Sequence, residues 1–239
     1  MAESTIEPIA EPELAPRRRL GVSAAVEDYA KAIYALQQRT GEPVSTNALA
    51  GRLHVTPGSA SAMLKRLDRL ELVRHVPYHG VELTRKGEGL ALEVIRHHRL
   101  LELYLAESLG LGWDRVHAEA EVLEHVLSEQ LEELIDAKLG HPTRDPHGDP
   151  IPTRDGRLDE APTQSLDALE PGTRGEFARV SDADPDMLTY LRERRIVPGV
   201  SLEVVDRQPF GGPLFVRVGT EVHALGGDLA RAMRIEVER

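Results

Sequence analysis

Residues 113 to 134, WDRVHAEAEVLEHVLSEQLEEL, place imidazole and carboxylate groups at a repeating spacing. A helix with about 3.6 residues per turn would present four of them on one stripe, at positions i, i+4, i+7 and i+8: His117, Glu121, Glu124 and His125. His98 and Glu102 repeat the i, i+4 spacing in the preceding segment. Nitrogen and oxygen donors without sulfur suit first-row divalent ions. The spacing therefore favours a metal site over a solvated acidic face.

Two long helices are predicted to position these groups. The first is RKGEGLALEVIRHHRLLELYLAESLGL, which follows Thr84, and the second is WDRVHAEAEVLEHVLSEQLEELIDAKLG, which ends at Gly140. A short loop joins them, so we expect an antiparallel pair with the two polar stripes facing each other. Five apolar residues are expected to supply the core face of the pair: Leu103, Val122, Leu123, Val126 and Leu127.

The charge distribution points to a second kind of chemistry. The whole chain has a net charge of −11, yet residues 17 to 100 hold 14 Lys and Arg against 8 Asp and Glu. A basic block beside an acidic body is typical of a module that meets phosphate. In the same region the sequence predicts a helix from Ser23 to Gly41, a short helix capped at Ser45 or Thr46, a third helix opened by Thr56 and Pro57, and a hairpin around Pro77 and Gly80. That order is a winged helix-turn-helix.

The third helix of that unit is predicted to read double-stranded DNA. Small polar residues near its start would let it approach base edges, and basic residues further along would reach phosphates. In the wing, we expect a histidine to approach the DNA backbone or solvent. The candidate DNA-binding residues are Thr56, Ser59, Ser61, Lys65, Arg66 and His79.

The fold is expected to be mostly α with small β parts, in four segments. Residues 1–21 are a disordered tail, 22–88 the winged helix-turn-helix, 89–163 a helical metal-binding and dimerisation domain with a Pro/Asp/Gly-rich loop, and 164–239 a small β-barrel. The chain has no cysteine, no apolar run near the ~20 residues that span a bilayer, and no apolar signal region at its start. We therefore expect a cytoplasmic protein without membrane contact.

Four motifs carry a resemblance to a known family: VEDYAKAIY, RHHRLLELYL, VHAEAEVLEHVLS and DPHGDPIP. With the order of elements, they resemble the diphtheria-toxin-repressor family of metal-dependent transcriptional regulators over residues 22 to 239. The C-terminal part is similar to the FeoA/SH3-like module of longer members. The resemblance implies a homodimer, joined through apolar faces around residues 93 to 136, that binds a pseudo-palindromic operator.

The resemblance also implies two metal sites. The first takes Asp28 from the first helix with Glu121, Glu124 and His125. The second takes His98, Glu102 and His117, and the C-terminal domain completes it, with Asp182 and Asp184 as candidates.

The donor types bear on which metal is sensed. Iron-responsive members of the family place Met and Cys where this chain has Asp28 and Glu121, and carboxylate in place of sulfur favours Mn²⁺. The chain thus resembles the manganese transport regulator branch, which implies Mn²⁺-activated repression of uptake genes with Fe²⁺, Co²⁺ or Zn²⁺ as substitutes. Lys31 stands where the short bacillary manganese regulators carry a glutamate, which favours two well-separated sites.

Two alternatives remain open on the sequence. One is an iron- or zinc-responsive repressor of the same family. The other is a helical metalloenzyme, but ferritin-like oxidases need a Glu-x-x-His pair on each of two helices, and no HExxH motif is present either.

Overall fold

The N-terminal part of the chain forms the predicted winged helix-turn-helix. The computed structural model describes residues 22–238, so the predicted tail over residues 1–21 lies outside the described part. Helices α1 (Ala24–Thr40), α2 (Thr46–Arg52) and α3 (Pro57–Arg69) precede the antiparallel hairpin of β1 (Val73–Val76) and β2 (Gly80–Leu83). The side chains of Ser45 and Thr56 accept backbone hydrogen bonds at the starts of α2 and α3, as N-caps do.

A continuous apolar core holds this unit together and extends onto the next helix. Ile33 of α1, Leu49 of α2 and Leu67 of α3 are fully buried in it. The N-terminal half of α4 (Arg85–Leu109), which begins after the N-cap Thr84, packs against the same core through Ala91. The orientation of α3 is thereby fixed relative to α1 and to the start of α4.

The predicted second long helix is interrupted, so the expectation of one continuous helix is wrong. Its residues form α5 (Val116–Leu123) and α6 (Glu129–Lys138), separated by a turn. The second helix starts after Ser128, whose backbone is extended and whose side chain accepts from the amide of Leu131. A serine in this conformation starts a new helix rather than continuing the old one.

The apolar residues of this region do not form one core face. Leu103 and Leu127 are buried, as expected, but Val122 and Val126 are 70% and 75% exposed, and Leu123 is also exposed. For those three residues the predicted burial is wrong. We call the exposed set the apolar patch, and it comprises Val122, Leu123, Val126, Leu131 and Leu134.

The C-terminal part is a six-stranded antiparallel sheet that is not closed into a barrel. Its elements are β3 (Gln164–Ser165), a short 3₁₀ turn (Leu166–Ala168), β4 (Arg174–Val180), α7 (Pro185–Glu193), β5 (Ser201–Arg207), β6 (Leu214–Val218), β7 (Glu221–Leu225), α8 (Gly227–Ala232) and β8 (Met233–Val237). The strand order is β3-β8-β4-β5-β6-β7. Phe177, Leu191 and Ile235 are fully buried in its core, so the expected SH3-like domain is present with an open sheet.

The segment between α6 and the sheet ties the two parts of the molecule together. His147 accepts through its backbone carbonyl from the amide of Val180 on β4, at 3.0 Å. Gly148 has φ +87°, and a Cβ there would lie 2.0 Å from the carbonyl oxygen of Ala178. Trp113, from the loop between α4 and α5, is buried in the core of the C-terminal sheet.

In the described part of the chain, no helix is both long and apolar enough to cross a bilayer.

Candidate metal centre

Three of the four residues predicted for the first site converge between α1 and the end of α5. Ligand atoms of Asp28, Glu124 and His125 all lie within 4.8 Å of one another, and we call these residues the first cluster. His125 Nε2 is 3.0 Å from Asp28 Oδ1 and 3.7 Å from Glu124 Oε1. Burial, the largest influence, raises the pKa of Asp28. A group of anionic donors facing one imidazole nitrogen can bind a divalent cation.

A neighbouring carboxylate orients the histidine of the first cluster. Glu27 Oε2 lies 2.5 Å from His125 Nδ1, and Glu27 is buried. A carboxylate that is hydrogen-bonded to one ring nitrogen orients the imidazole so that its other nitrogen is available to a metal. Here that other nitrogen, Nε2, faces Asp28. Sequence reasoning missed Glu27, whose adjacency to Asp28 was the available signal.

Glu121, the fourth predicted ligand, pairs with a lysine instead. Lys31 Nζ lies 2.7 Å from Glu121 Oε1 and 2.8 Å from Glu124 Oε1. Burial lowers the pKa of Lys31, but the charges of Glu124 and Glu121 outweigh it and raise the pKa overall. Glu121 also stands 3.8 Å from His98 Nδ1, between the two predicted sites.

The second predicted site is assembled from three parts of the chain. Ligand atoms of His98, Glu102, His117 and Asp182 lie within 4.8 Å of one another, and we call these residues the second cluster. Glu102 Oε1 is 3.0 Å from His98 Nε2 and 3.2 Å from His117 Nδ1. Asp182, just after β4, brings Oδ2 to 2.9 Å from His117 Nδ1. The C-terminal domain therefore contributes to this cluster.

In the second cluster, the negative charges of the carboxylates are balanced by the positive charges of protonated histidines. Hydrogen bonds that His117 donates to Asp182 and, with a smaller effect, to Glu102 raise the pKa of His117 to about 10. Burial raises the pKa of Glu102, but the neighbouring imidazoles of His117, His147 and His98 bring it well below its ordinary value. A divalent ion that displaced these imidazole protons would supply the positive charge that balances the carboxylates instead.

Asp184 does not join either cluster. Its Oδ1 accepts from the amides of Asp186 and Met187, at 3.0 and 3.3 Å, so that it caps the start of α7. The structure thus separates the two aspartates predicted from the same segment: Asp182 lies with the other predicted ligands of the second site, and Asp184 caps a helix.

Two buried atoms beside the second cluster fit a cation-binding environment. Among the described residues, Glu102 Oε2 and His147 Nδ1 have no hydrogen-bond partner, and they lie 3.5 Å apart. His147 Nε2 lies 2.7 Å from the carbonyl oxygen of Trp113 and must carry the hydrogen there. Burial, then Asp149, raises the pKa of Asp145, a third neighbour, to about 8. Sequence analysis did not single out His147, although the DPHGDPIP motif that contains it was an available signal.

His98 connects the two clusters. Its Nδ1 is hydrogen-bonded to Glu124, and its Nε2 lies 3.0 Å from Glu102. His97, by contrast, turns to Glu132, with 3.2 Å between His97 Nε2 and Glu132 Oε2. Consecutive residues on a helix point in different directions, which separates the two histidines.

Comparison with known proteins matches each part of the chain to a family description. Residues 21–81 match "Iron dependent repressor, N-terminal DNA binding domain", residues 84–153 match "Iron dependent repressor, metal binding and dimerisation domain", and residues 164–238 match "FeoA domain". The "Iron-dependent repressor IdeR" of Mycobacterium tuberculosis (strain ATCC 25618 / H37Rv) is 32% identical over 222 residues, covering 88% of this chain and 96% of that protein. The chain belongs to the diphtheria toxin repressor family.

Other members of the family are similar over the same span. The "Diphtheria toxin repressor" of Corynebacterium diphtheriae is 32% identical over 224 residues, which are 88% of this chain and 96% of that protein. A solved "Manganese-dependent transcriptional repressor complex with manganese" is 42% identical, with a TM-score of 0.82 over 89% of this chain and 100% of that one. The chain is a metal-dependent DNA-binding repressor, which discards the metalloenzyme alternative.

The DNA-binding domain of this family member presents most of the predicted contact residues. Ser59, Lys65 and Arg66 are exposed on α3, and Ser61 is half-buried. Thr56 is exposed but serves as the N-cap, with Oγ1 2.9 Å from Ser59 Oγ. His79 is exposed in the turn of the hairpin, and Arg69 adds an exposed basic group on α3 that sequence reasoning did not single out.

Proposed function

We propose that this chain is a Mn²⁺-activated repressor that controls manganese uptake genes by binding a pseudo-palindromic operator as a homodimer in the cytoplasm. The observation that carries the metal assignment is the composition of the two clusters, which offer carboxylate and imidazole groups in a chain without cysteine. Oxygen-rich donor sets favour Mn²⁺ over softer ions. The 42% identical repressor solved with manganese supports the same choice.

The proposed ligands are the residues of the two clusters, with Glu121 as a further donor between them. The first cluster would hold the activating ion through Asp28, Glu124 and His125. A bound ion supplies two positive charges among these carboxylates. Asp184 is withdrawn from the proposal, since its side chain caps α7.

The mechanism follows from where the ligands stand in the fold. Asp28 is on α1, which shares a core with α3, whereas Glu124 and His125 are on the helical domain. Holding Asp28 against them fixes α1, and therefore α3, relative to the dimerisation domain. Two α3 helices at a fixed separation can enter successive major grooves of a two-fold symmetric site. Coupling of this kind is reciprocal, so DNA also raises the affinity for the metal.

A DNA-binding titration tests this function. An operator is selected from random-sequence DNA with the full chain and Mn²⁺, and its affinity is then measured by fluorescence anisotropy in EDTA and in Mn²⁺. Tight binding is expected with Mn²⁺, and weaker binding by at least about tenfold in EDTA, the range of ordinary allosteric coupling. Equal affinity in the two buffers would contradict the proposal.

A second candidate is an iron-responsive repressor, which the name of the 32% identical relative favours. DNA affinity at matched free Mn²⁺, Fe²⁺ and Zn²⁺ separates the candidates. On the donor argument, the double substitution Asp28→Met with Glu121→Cys shifts the preference toward Fe²⁺ because it introduces sulfur. A wild-type chain that responds to Fe²⁺ at lower free concentration than to Mn²⁺ would overturn the manganese assignment.

A further inference from the structure

The ammonium group of Lys31 lies among side chains that the proposed function assigns to metal. It is 2.7 Å from Glu121 Oε1, 2.8 and 2.9 Å from the two carboxylate oxygens of Glu124, and 3.5 Å from His98 Nδ1. Glu124 belongs to the first cluster and His98 to the second. A positive charge that belongs to the chain itself therefore stands where the two ligand sets meet.

Burial makes this charge important in the metal-free protein. Glu124 is 0% exposed, and Glu121, at 41% exposure of its side chain, is partly solvated. A carboxylate removed from water is costly unless a counter-charge and hydrogen bonds compensate it. Lys31 supplies both to Glu124, through contacts with each of its oxygens.

We propose that Lys31 is a tethered counter-ion that stabilises the ligand set without metal and competes with the divalent cation for Glu121 and Glu124. The identity of that cation rests on the proposed function. A divalent ion bound to Glu124 is repelled by the nearby ammonium group, and like charges at such distances interact strongly in a partly buried site. Lys31 thus sets the metal affinity below what the donors alone would give.

The position of Lys31 in the fold adds a structural consequence. Lys31 is on α1, and its two carboxylate partners are at the end of α5, so the ion pairs join the DNA-binding unit to the helical domain before any metal binds. A bound metal would then replace or weaken these ion pairs, rather than bring together two parts that had no contact. The metal concentration at which the repressor responds would then depend on the free-energy difference between the Lys31-paired, metal-free state and the metal-bound state.

Calorimetric titration of Mn²⁺ into the chelator-stripped full chain tests the competition. Lys31→Met, which keeps the length and removes the charge, is expected to bind Mn²⁺ about tenfold more tightly, at the low end for close charge pairs. Lys31→Arg keeps the charge and is expected to stay near wild type. Lys138→Met removes an exposed lysine of α6 and controls for net charge; we expect it within about twofold of wild type.

Thermal unfolding in EDTA tests the stabilising half without any metal. Lys31→Met is expected to melt about 5 °C below the Lys138→Met control, because Glu124 loses a counter-charge. Lys31→Arg should melt close to wild type. The inference is overturned if Lys31→Met binds Mn²⁺ with equal or lower affinity, or if its metal-free melting temperature matches the control. A wild-type chain that takes up no Mn²⁺ would instead refute the proposed function, and the melting comparison would still decide the role of Lys31.

Discussion

Asp182 and Asp184 stand two residues apart in the sequence and have different partners in the structure. Asp182 Oδ2 faces His117 in the second cluster, whereas Asp184 Oδ1 accepts two amides of α7. Asp184→Ala is expected to lower the free energy of unfolding by about 1 kcal/mol, the usual cost of a lost N-cap, with Mn²⁺ uptake unchanged. Asp182→Ala should lower the amount of Mn²⁺ bound per chain. Urea denaturation and calorimetry measure the two effects, and reduced uptake by Asp184→Ala would contradict the assignment.

At this scale residue spacing predicts candidate ligands that share one helix, whereas candidates from other elements, such as Asp28 and Asp182, came only from the family resemblance. The i, i+4 spacing of His98 with Glu102, and of His117 with Glu121, is visible because a helix fixes the direction of each side chain. The partnership of Lys31 with Glu124 spans 93 positions, and no local pattern encodes it. His147 is likewise placed by the path of a loop. Such contacts depend on tertiary packing.

Helix α6 is held against α4 by a buried ion-pair network. Arg96 Nε lies 2.6 Å from Glu132 Oε1, and His97 Nε2 lies 3.2 Å from Glu132 Oε2. Burial alone would raise the pKa of Glu132, but hydrogen bonds with His97 and Arg96 lower it to about 2, from an ordinary value of 4.5. A carboxyl with a depressed pKa stabilises the folded state above its ordinary pKa, and that stability is lost as the pH falls toward the folded-state value.

We therefore expect Glu132→Gln to lower the free energy of unfolding by about 3 kcal/mol at neutral pH. The difference from wild type should shrink as the pH falls from about 5 toward about 2, because wild-type Glu132 becomes protonated there. Urea denaturation across this range measures it. The neighbouring Glu133→Gln breaks a more exposed pair with Arg154 and should cost less than about 1 kcal/mol. A difference that does not change with pH would refute this account of the network.

The elements themselves were largely predictable, and the exceptions have local causes. The caps at Thr56 and Thr84 mark the starts of α3 and α4 in both sequence and structure. The polar and apolar periodicity continues from Val116 through Ser128, so it gives no sign that α5 ends at Leu123 and that α6 begins after Ser128. The alternating strands of the C-terminal domain were recognisable, whereas closure of the sheet depends on pairing between its edges, which alternation does not encode.

At the scale of the whole molecule, the apolar patch is the surface that we expect the second subunit to cover. It lies within residues 84–153, the part of the chain that matches a dimerisation domain. Val126→Asp is expected to weaken dimerisation about 100-fold, because association would bury an unpaired charge. Analytical ultracentrifugation measures this. Val222→Asp, at a half-exposed position on β7, is the control and should remain dimeric.

DNA affinity provides the second readout for the same variant. Val126→Asp should retain Mn²⁺ uptake and lose most of its affinity for a two-fold symmetric operator, since a monomer reads one half-site. A Val126→Asp chain that sediments as a dimer would show that the subunits meet elsewhere. The sequence shows the apolar character of these residues, but Val122, Leu123 and Val126 were predicted to be buried because periodicity does not distinguish a core from an interface.

His98 belongs to the second cluster and also contacts Glu124 of the first cluster. Its Nδ1 is hydrogen-bonded to Glu124, and its Nε2 lies 3.0 Å from Glu102 Oε1. An imidazole that ligates a metal through Nε2 keeps its hydrogen on Nδ1. An ion bound in the second cluster would therefore make His98 Nδ1 a hydrogen-bond donor to Glu124, which is a proposed ligand of the first cluster. We therefore expect uptake of two Mn²⁺ ions to be cooperative or anticooperative rather than independent, because occupancy of one cluster would change the affinity of the other by the same factor in both directions. The tautomer of the His98 ring would thus determine the shape of the Mn²⁺ binding isotherm.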